Sequence, residues 1–104
     1  MKKSLLCILL LISSPLWAGK DVGKSKVSYI YQLDTDSTVF EFNSTVRHEC
    51  GSTLYRVKSP TEAVADRKFA LVLTAFTTDN NLAFHDTGVC EGIRSVVSWI
   101  RITK

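Results

Sequence analysis

The sequence predicts a small, mainly β domain with one helix, arranged as a closed or nearly closed five-stranded barrel with the helix plugging one end. The chain has 104 residues, which is enough for one domain and too few for two. Five short segments have the pattern of strands, and a capped helical pattern stands between the third and the fourth, giving the order β-β-β-α-β-β. The alternative is an open antiparallel α+β sheet with the helix packed on one face.

The first eighteen residues have the three-part plan of a secretory signal peptide. Met1-Lys2-Lys3 is positively charged, an apolar run extends from Leu5 to Ile12, and a cleavage point follows Ala18. The run has about 8 residues, far fewer than the roughly 20 that cross a bilayer as a helix. We therefore expect residues 1–18 to be removed and the remainder to be secreted or periplasmic, with no membrane anchor.

The mature chain is nearly neutral. Lys2 and Lys3 account for most of the formal charge of +3, and without them 11 basic residues face 10 acidic ones. A nucleic-acid-binding protein needs a clustered basic face. The basic residues of the predicted domain are scattered instead, at Lys58, Arg67, Lys68, Arg94 and Arg101. This pattern predicts no nucleic-acid partner.

Residues 19–26 are small, charged and glycine-containing, and we expect them to be a flexible leader to a single domain over 27–104. In that domain, β-branched and aromatic residues and period-2 alternation predict strands. The predicted strands cover residues 27–33, 39–46, 53–58, 82–86 and 96–103. In the last of them, the alternation places Val96, Ser98, Ile100 and Ile102 on one face, with Val97 and Trp99 on the other.

The helix is predicted from its start signal. Ser59-Pro60-Thr61-Glu62 combines a capping serine, a proline at the first helical position and a glutamate at the third. An apolar stripe follows, and two further apolar residues beside it make the apolar face of the helix wide. We therefore expect the sheet to cover the helix well. The stripe comprises Ala65, Phe69, Val72, Leu73 and Phe76, with Leu71 and Ala75 beside them. The continuous apolar run Phe69–Phe76 also fits a buried strand, but the cap favours a helix.

Two cysteines remain after removal of the signal peptide and Cys7. Cys50 and Cys90 are an even pair in an exported chain, and this predicts a structural disulfide. The alternative is a zinc site that adds His48 and His85, although the spacing matches no standard zinc finger. We expect the disulfide, with no metal and no cofactor.

From about residue 60 onward the chain resembles a family of short secreted bacterial proteins of unknown function. The resembling segments are Ala70–Phe76, Leu82–His85, Cys90-Glu91-Gly92 and Val96–Ile102. The order is also similar to that of the B subunits of secreted bacterial toxins, which are OB-fold rings of five that bind cell-surface glycans. This resemblance implies an OB-like barrel and a homo-oligomer with a glycan partner, although none of the sugar-contacting residues of those subunits is matched.

No catalytic motif is found, and we expect a small non-enzymatic protein that binds a glycan or a protein. Aromatic rings with a polar tip suit both kinds of ligand. The candidate binding residues are Tyr29, Tyr31, Tyr55 and Trp99. The alternative function is a small metal-binding or hydrolytic protein that uses His48 and His85, the two residues able to act as bases near neutral pH.

Overall fold

The computed structural model describes residues 19–104; the predicted signal peptide, with Cys7, lies outside the described residues. These residues form six strands and one helix. In chain order they are β1 (Lys20–Ser25), β2 (Val27–Gln32), β3 (Val39–Ser44), β4 (Leu54–Lys58), α1 (Glu62–Thr77), β5 (Asn81–Glu91) and β6 (Arg94–Thr103). The prediction of a mainly β domain with one helix is confirmed.

The strands form one mixed sheet in the order β1-β5-β6-β4-β3-β2. Neighbouring strands are antiparallel except β4 and β6, which pair in parallel because α1 and β5 lie between them along the chain. The sheet is not closed, since β1 and β2 form its two edges. The predicted five-stranded barrel is therefore not confirmed, and the open alternative differs from the structure in its one parallel pair.

One strand more than the predicted five is present. It is β1, and it lies in residues 19–26, which we expected to be a flexible leader. Val22 pairs with Phe84 of β5 and is only 6% exposed. Ser25 pairs with Leu82, is 3% exposed, and donates its Oγ–H to the Leu82 carbonyl at 3.0 Å. The two buried positions are three residues apart because the register shifts between them. That shift breaks the alternation by which a strand is normally recognised.

A single residue, Lys26, separates two strands that lie at opposite edges of the sheet. The sheet must therefore curl so that its edges converge at this corner. Two hydrogen bonds between Lys26 and Thr45 stabilise this corner. The Lys26 N–H donates to Thr45 Oγ1, and the Thr45 N–H donates to the Lys26 carbonyl, both at 3.1 Å.

Aromatic rings fill the core on the side of the sheet that faces α1, which we call the core face. Tyr55 packs against Phe42 and Phe84 with ring centroids 5.5 and 4.7 Å apart, and Phe42 meets Phe84 edge-on at 5.2 Å. Phe40 meets Phe69 of α1 edge-on at 5.2 Å. Because side chains alternate along a strand, Glu41 lies on the opposite, outer face.

The helix begins two residues later than the capping pattern predicts. Thr61 is the N-cap, and its Oγ1 accepts the Val64 N–H at 3.2 Å. Ser59 is not the cap. Its N–H donates to the Thr38 carbonyl at 3.0 Å, which extends the pairing of β3 with β4. The helix is confirmed over the strand alternative for Phe69–Phe76.

The sheet covers less of α1 than the apolar stripe predicts. The fully buried positions are Ala65, Val72 and Ala75. Leu71, Leu73 and Phe76 are 36%, 42% and 44% exposed. Within residues 19–104, no helix has both the length and the apolar character needed to span a bilayer.

A bulge in β6 changes which residues share a face. Phe84 pairs with Ile100 and Asp86 with Val97, so between these pairs one residue of β5 opposes two of β6. Val97 and Ile100 are consequently both buried, at 1% and 9% exposure. The prediction that Val97 and Ile100 lie on different faces of the sheet is wrong. Trp99 lies on the outer face.

The β5–β6 hairpin is longer than the predicted strands and carries the disulfide. Glu91 pairs with Arg94 across a two-residue turn, where Gly92 has a φ of 63° that favours glycine. Cys90 of this hairpin bonds to Cys50 in the loop between β3 and β4, with Cα atoms 5.5 Å apart. The predicted disulfide is confirmed, and its sulfurs are unavailable as the thiolate ligands of the zinc alternative.

The disulfide closes a long loop of the chain that contains α1, so its removal should destabilise the fold. We expect the Cys50→Ser/Cys90→Ser double variant to lose about 4 kcal/mol in the free energy of unfolding, as chain entropy predicts for a loop of this size. Urea denaturation of the mature protein and the variant measures the loss, and Cys90→Ser alone serves as a control that leaves one thiol. Identical midpoints, or an intact mass that shows two free thiols in exported protein, would contradict this role.

Candidate functional site

The four aromatic residues predicted to bind a ligand do not form one site. Tyr55 is fully buried and belongs to the core, whereas Tyr29 and Trp99 are 47% and 39% exposed. Tyr29 and Tyr31 lie on the edge strand β2, their rings stacked at 6.2 Å, whereas Trp99 lies on β6. Strands β4 and β3 separate β6 from β2. The structure therefore leaves Trp99 and the Tyr29–Tyr31 pair as separate candidates.

Trp99 belongs to a group on the outer face that we call the Trp99 cluster: Asp21, His85, Trp99 and Arg101. The imidazole of His85 lies nearly parallel to the indole, with ring centroids 6.4 Å apart and planes 23° apart. The Arg101 guanidinium carbon is 5.5 Å from the centroid of the indole, which is within cation–π range. These contacts hold an exposed indole on a hydrogen-bonded sheet.

Asp21 is the member of this cluster that the sequence analysis missed. His85 Nδ1 lies 2.7 Å from Asp21 Oδ1, across the β1–β5 pairing. We did not expect this pair, because residues 19–26, with Asp21 among them, were predicted to be a flexible leader. The other ring nitrogen, Nε2, faces Gly19, where an added Cβ would lie only 2.8 Å from it. The same Cβ would lie 2.6 Å from the Asp86 backbone carbonyl oxygen, which cannot move as a side chain can, so this position favours glycine.

His48, the other predicted candidate base, is a structural residue. It is 4% exposed, and its ring meets Tyr55 edge-on at 4.8 Å. Nδ1 accepts the Cys50 N–H at 3.0 Å, and Nε2 lies 2.7 Å from the Leu54 carbonyl, to which it can only donate. Both ring nitrogens thus tie the disulfide loop to β4. Ser52 Oγ lies 3.3 Å from Nε2. Because Nε2 carries a proton, it cannot act as a base that activates this hydroxyl.

Tyr55 is likewise a structural residue. Its hydroxyl donates to the Val46 carbonyl at 2.9 Å. Burial raises the pKa of Tyr55, and the charge of Asp86 raises this pKa further. Asp86, 3% exposed, accepts hydrogen bonds from the Ser95 hydroxyl and from the Gly88 N–H. These groups satisfy buried polar atoms and stabilise the core.

The outer face also buries a carboxylate among basic side chains, a group we call the Glu41 cluster: Tyr31, Glu41, Arg56, Lys58, Glu91 and Arg94. The Glu41 side chain is fully buried. It accepts hydrogen bonds from the Tyr31 hydroxyl, from Arg56 Nε at 2.7 Å and from Arg94 Nε at 2.8 Å. Five strands, β2 to β6, contribute these residues.

A second carboxylate, Glu91, completes the network. Its two oxygens accept hydrogen bonds from Arg56 Nη1 and Lys58 Nζ, both at 2.7 Å. The hydrogen bonds from Lys58 and Arg56 lower the pKa of Glu91. The cluster was not predicted from the sequence, because hydrogen-bonded members such as Glu41 and Arg94 are 53 residues apart and each residue alone looks like a solvated strand residue.

The residues between 19 and 104 contain no group of three or more His, Cys, Asp and Glu side chains arranged to hold a metal ion.

Replacing His48 should destabilise the fold far more than replacing His85. We expect His48→Ala to lose about 2–3 kcal/mol in the free energy of unfolding, because it leaves the buried Cys50 N–H and Leu54 carbonyl without partners. His85→Ala, the matched control, removes one half-exposed pair and should cost less than about 1 kcal/mol. Urea denaturation compares the two variants. Equal losses would contradict the different roles assigned to the two histidines.

Glu91 should stabilise the fold only while it is ionised. Its pKa is lower in the folded than in the unfolded chain, so its contribution is complete above the unfolded value and is lost as the pH falls through the folded value. We expect Glu91→Gln to lower the free energy of unfolding by less than about 1 kcal/mol at pH 7, since the pair is partly exposed. Thermal unfolding of both proteins from pH 7 to 3 should show this difference vanish in acid. A difference that grows in acid would contradict the pairing.

Comparisons of this chain with protein-family models, with curated proteins and with solved structures found no match. The resemblance to toxin B subunits therefore stays a prediction.

Proposed function

We propose that this protein is a secreted or periplasmic, non-enzymatic module that binds a glycan or a protein surface through the Trp99 cluster. The observation that carries the proposal is an indole 39% exposed on the outer face and held by contacts with His85 of β5 and Arg101 of β6. Large aromatic side chains are normally buried in small domains. An indole that is instead supported in an exposed position is suited to contact another molecule.

The chemistry around the indole matches both kinds of ligand. An aromatic face packs against the C–H groups of a sugar ring or against apolar protein side chains. Arg101 supplies hydrogen-bond donors at the rim, and Asp21, with a side chain 67% exposed, supplies an acceptor. A few polar groups around an apolar centre are what fix the orientation of a bound ligand.

The cellular location is part of the same proposal. A disulfide with one exposed cysteine fits an oxidising, non-cytoplasmic compartment. The export of the chain rests on the signal-like residues 1–18, with cleavage after Ala18.

An OB-like architecture and self-association complete the proposal. The converging edges at Lys26 support a barrel-like curl, although the sheet stays open. On α1, the exposed side chains of Leu71, Leu73 and Phe76 support contact between copies of the chain.

The binding proposal is tested by removing the indole. We expect the mature protein to bind members of a glycan array, or a partner protein from its own compartment, and Trp99→Ala to weaken that binding at least about tenfold, as for a central aromatic contact. Tyr29→Ala is the matched control, because it removes an exposed ring from the edge strand β2, which β4 and β3 separate from β6. Circular dichroism checks that both variants fold.

Three results would contradict the proposal. One is a protein silent on the array that sediments as a monomer at every concentration tested. The second is a Trp99→Ala variant that binds as well as the parent. The third is a loss of binding in the Tyr29→Ala variant instead, which would place the site on β2.

A further inference from the structure

We propose that the Glu41 cluster is a binding site for an oxyanion, a carboxylate, phosphate or sulfate group, and that Arg94 is its principal contact. This inference goes beyond the proposed function. It rests on different side chains from those of the Trp99 cluster, and it stands whether or not Trp99 binds a ligand.

The first step in the argument is the orientation of Arg94. Its Nε lies 2.8 Å from Glu41 Oε1 and 2.7 Å from Oε2, and the Glu41 side chain is fully buried. One edge of the planar guanidinium therefore faces the interior of the cluster. Among residues 19–104, Glu41 is the only hydrogen-bond or ion-pair partner of the Arg94 side chain, which is 31% exposed. The part of the guanidinium that faces away from Glu41 is thus held in place and accessible to solvent.

The second step is that the neighbouring carboxylate is already occupied. Glu91 lies opposite Arg94 across the hairpin turn and is the nearest acidic residue along the pairing. Its oxygens bind Arg56 and Lys58 instead, each at 2.7 Å. Arg94 is therefore left with donors that an external acceptor can satisfy.

The third step is charge. Arg56, Lys58 and Arg94 carry three positive charges against the two carboxylates of Glu41 and Glu91, so the cluster has a net charge of +1. Because the cluster is partly buried, this charge is screened less than an isolated surface charge. The excess favours an anionic ligand.

The geometry also indicates the chemistry of that ligand. The paired N–H groups of a guanidinium match two oxygens of one carboxylate, phosphate or sulfate, which a lysine ammonium cannot do. Tyr31 and Arg94 donate to the same oxygen of Glu41, and Tyr31 stacks with Tyr29. A ring or apolar group attached to the oxyanion would therefore have an aromatic neighbour.

The experiment is an NMR titration of the mature, disulfide-bonded protein at constant ionic strength. Sodium acetate, sodium phosphate and sodium sulfate are the probes, and sodium chloride is the reference. We expect the Nε–Hε signal of Arg94 to shift saturably with at least one oxyanion, while Arg67 and Arg101 shift no more than in chloride. The three probes distinguish a carboxylate site from a phosphate or sulfate site.

Two variants and one control sharpen the test. Arg94→Lys keeps the charge and loses the planar donor edge, and should weaken binding at least about fivefold. Glu91→Gln raises the charge of the cluster to +2 and should tighten binding about threefold, as expected for one added unit of charge near the surface. Arg67→Lys, on the exposed side of α1, should change nothing.

The proposal is overturned if the Arg94 signal responds to oxyanions as it does to chloride, or if all arginine signals shift alike. It is also overturned if Glu91→Gln leaves the affinity unchanged or weakens it, since a purely structural cluster predicts no gain. If Arg94→Lys fails to fold, the titrations of the parent protein and of Glu91→Gln still decide.

Discussion

One sixteen-residue helix covers the core face of a six-stranded sheet, and this constraint determines where the chemistry of the protein can lie. The core face is filled by the rings of Phe42, Tyr55 and Phe84, among which an unpaired polar group would be costly. The outer face has no such cover among the described residues. Polar, charged and half-exposed aromatic side chains therefore collect there, in the Trp99 cluster and the Glu41 cluster.

Buried polar groups are satisfied in two different ways, and the difference separates structure from candidate function. His48 and Asp86 are fixed largely by backbone N–H and carbonyl groups and neighbouring hydroxyls, so they have little capacity for an external ligand. Glu41 is fixed by arginines from two other strands. A guanidinium carries five donors, so an arginine that binds one buried carboxylate still has donors for another acceptor.

The strands β2, β3 and β4 could be predicted because β-branched and aromatic residues mark them locally. β1 could not, since its register shift separates Val22 and Ser25 by an odd number of residues. The bulge in β6 likewise places Val97 and Ile100 on the same face, where alternation predicts opposite faces. Both errors have one cause: a period of two is lost wherever an extra residue enters a strand. Tyr55 illustrates a different limit, because composition cannot say which aromatic rings a small core absorbs.

The sequence by itself determined the types of element, the capped helix and the pairing of Cys50 with Cys90, since each depends on neighbouring residues or on a count. Only the tertiary structure decided which strands are neighbours, and with them the contacts of Asp21 with His85 and of Glu41 with Arg94. Those pairs are 64 and 53 residues apart. Their contact follows from sheet order and register, which depend on the packing of the whole chain and leave no local pattern.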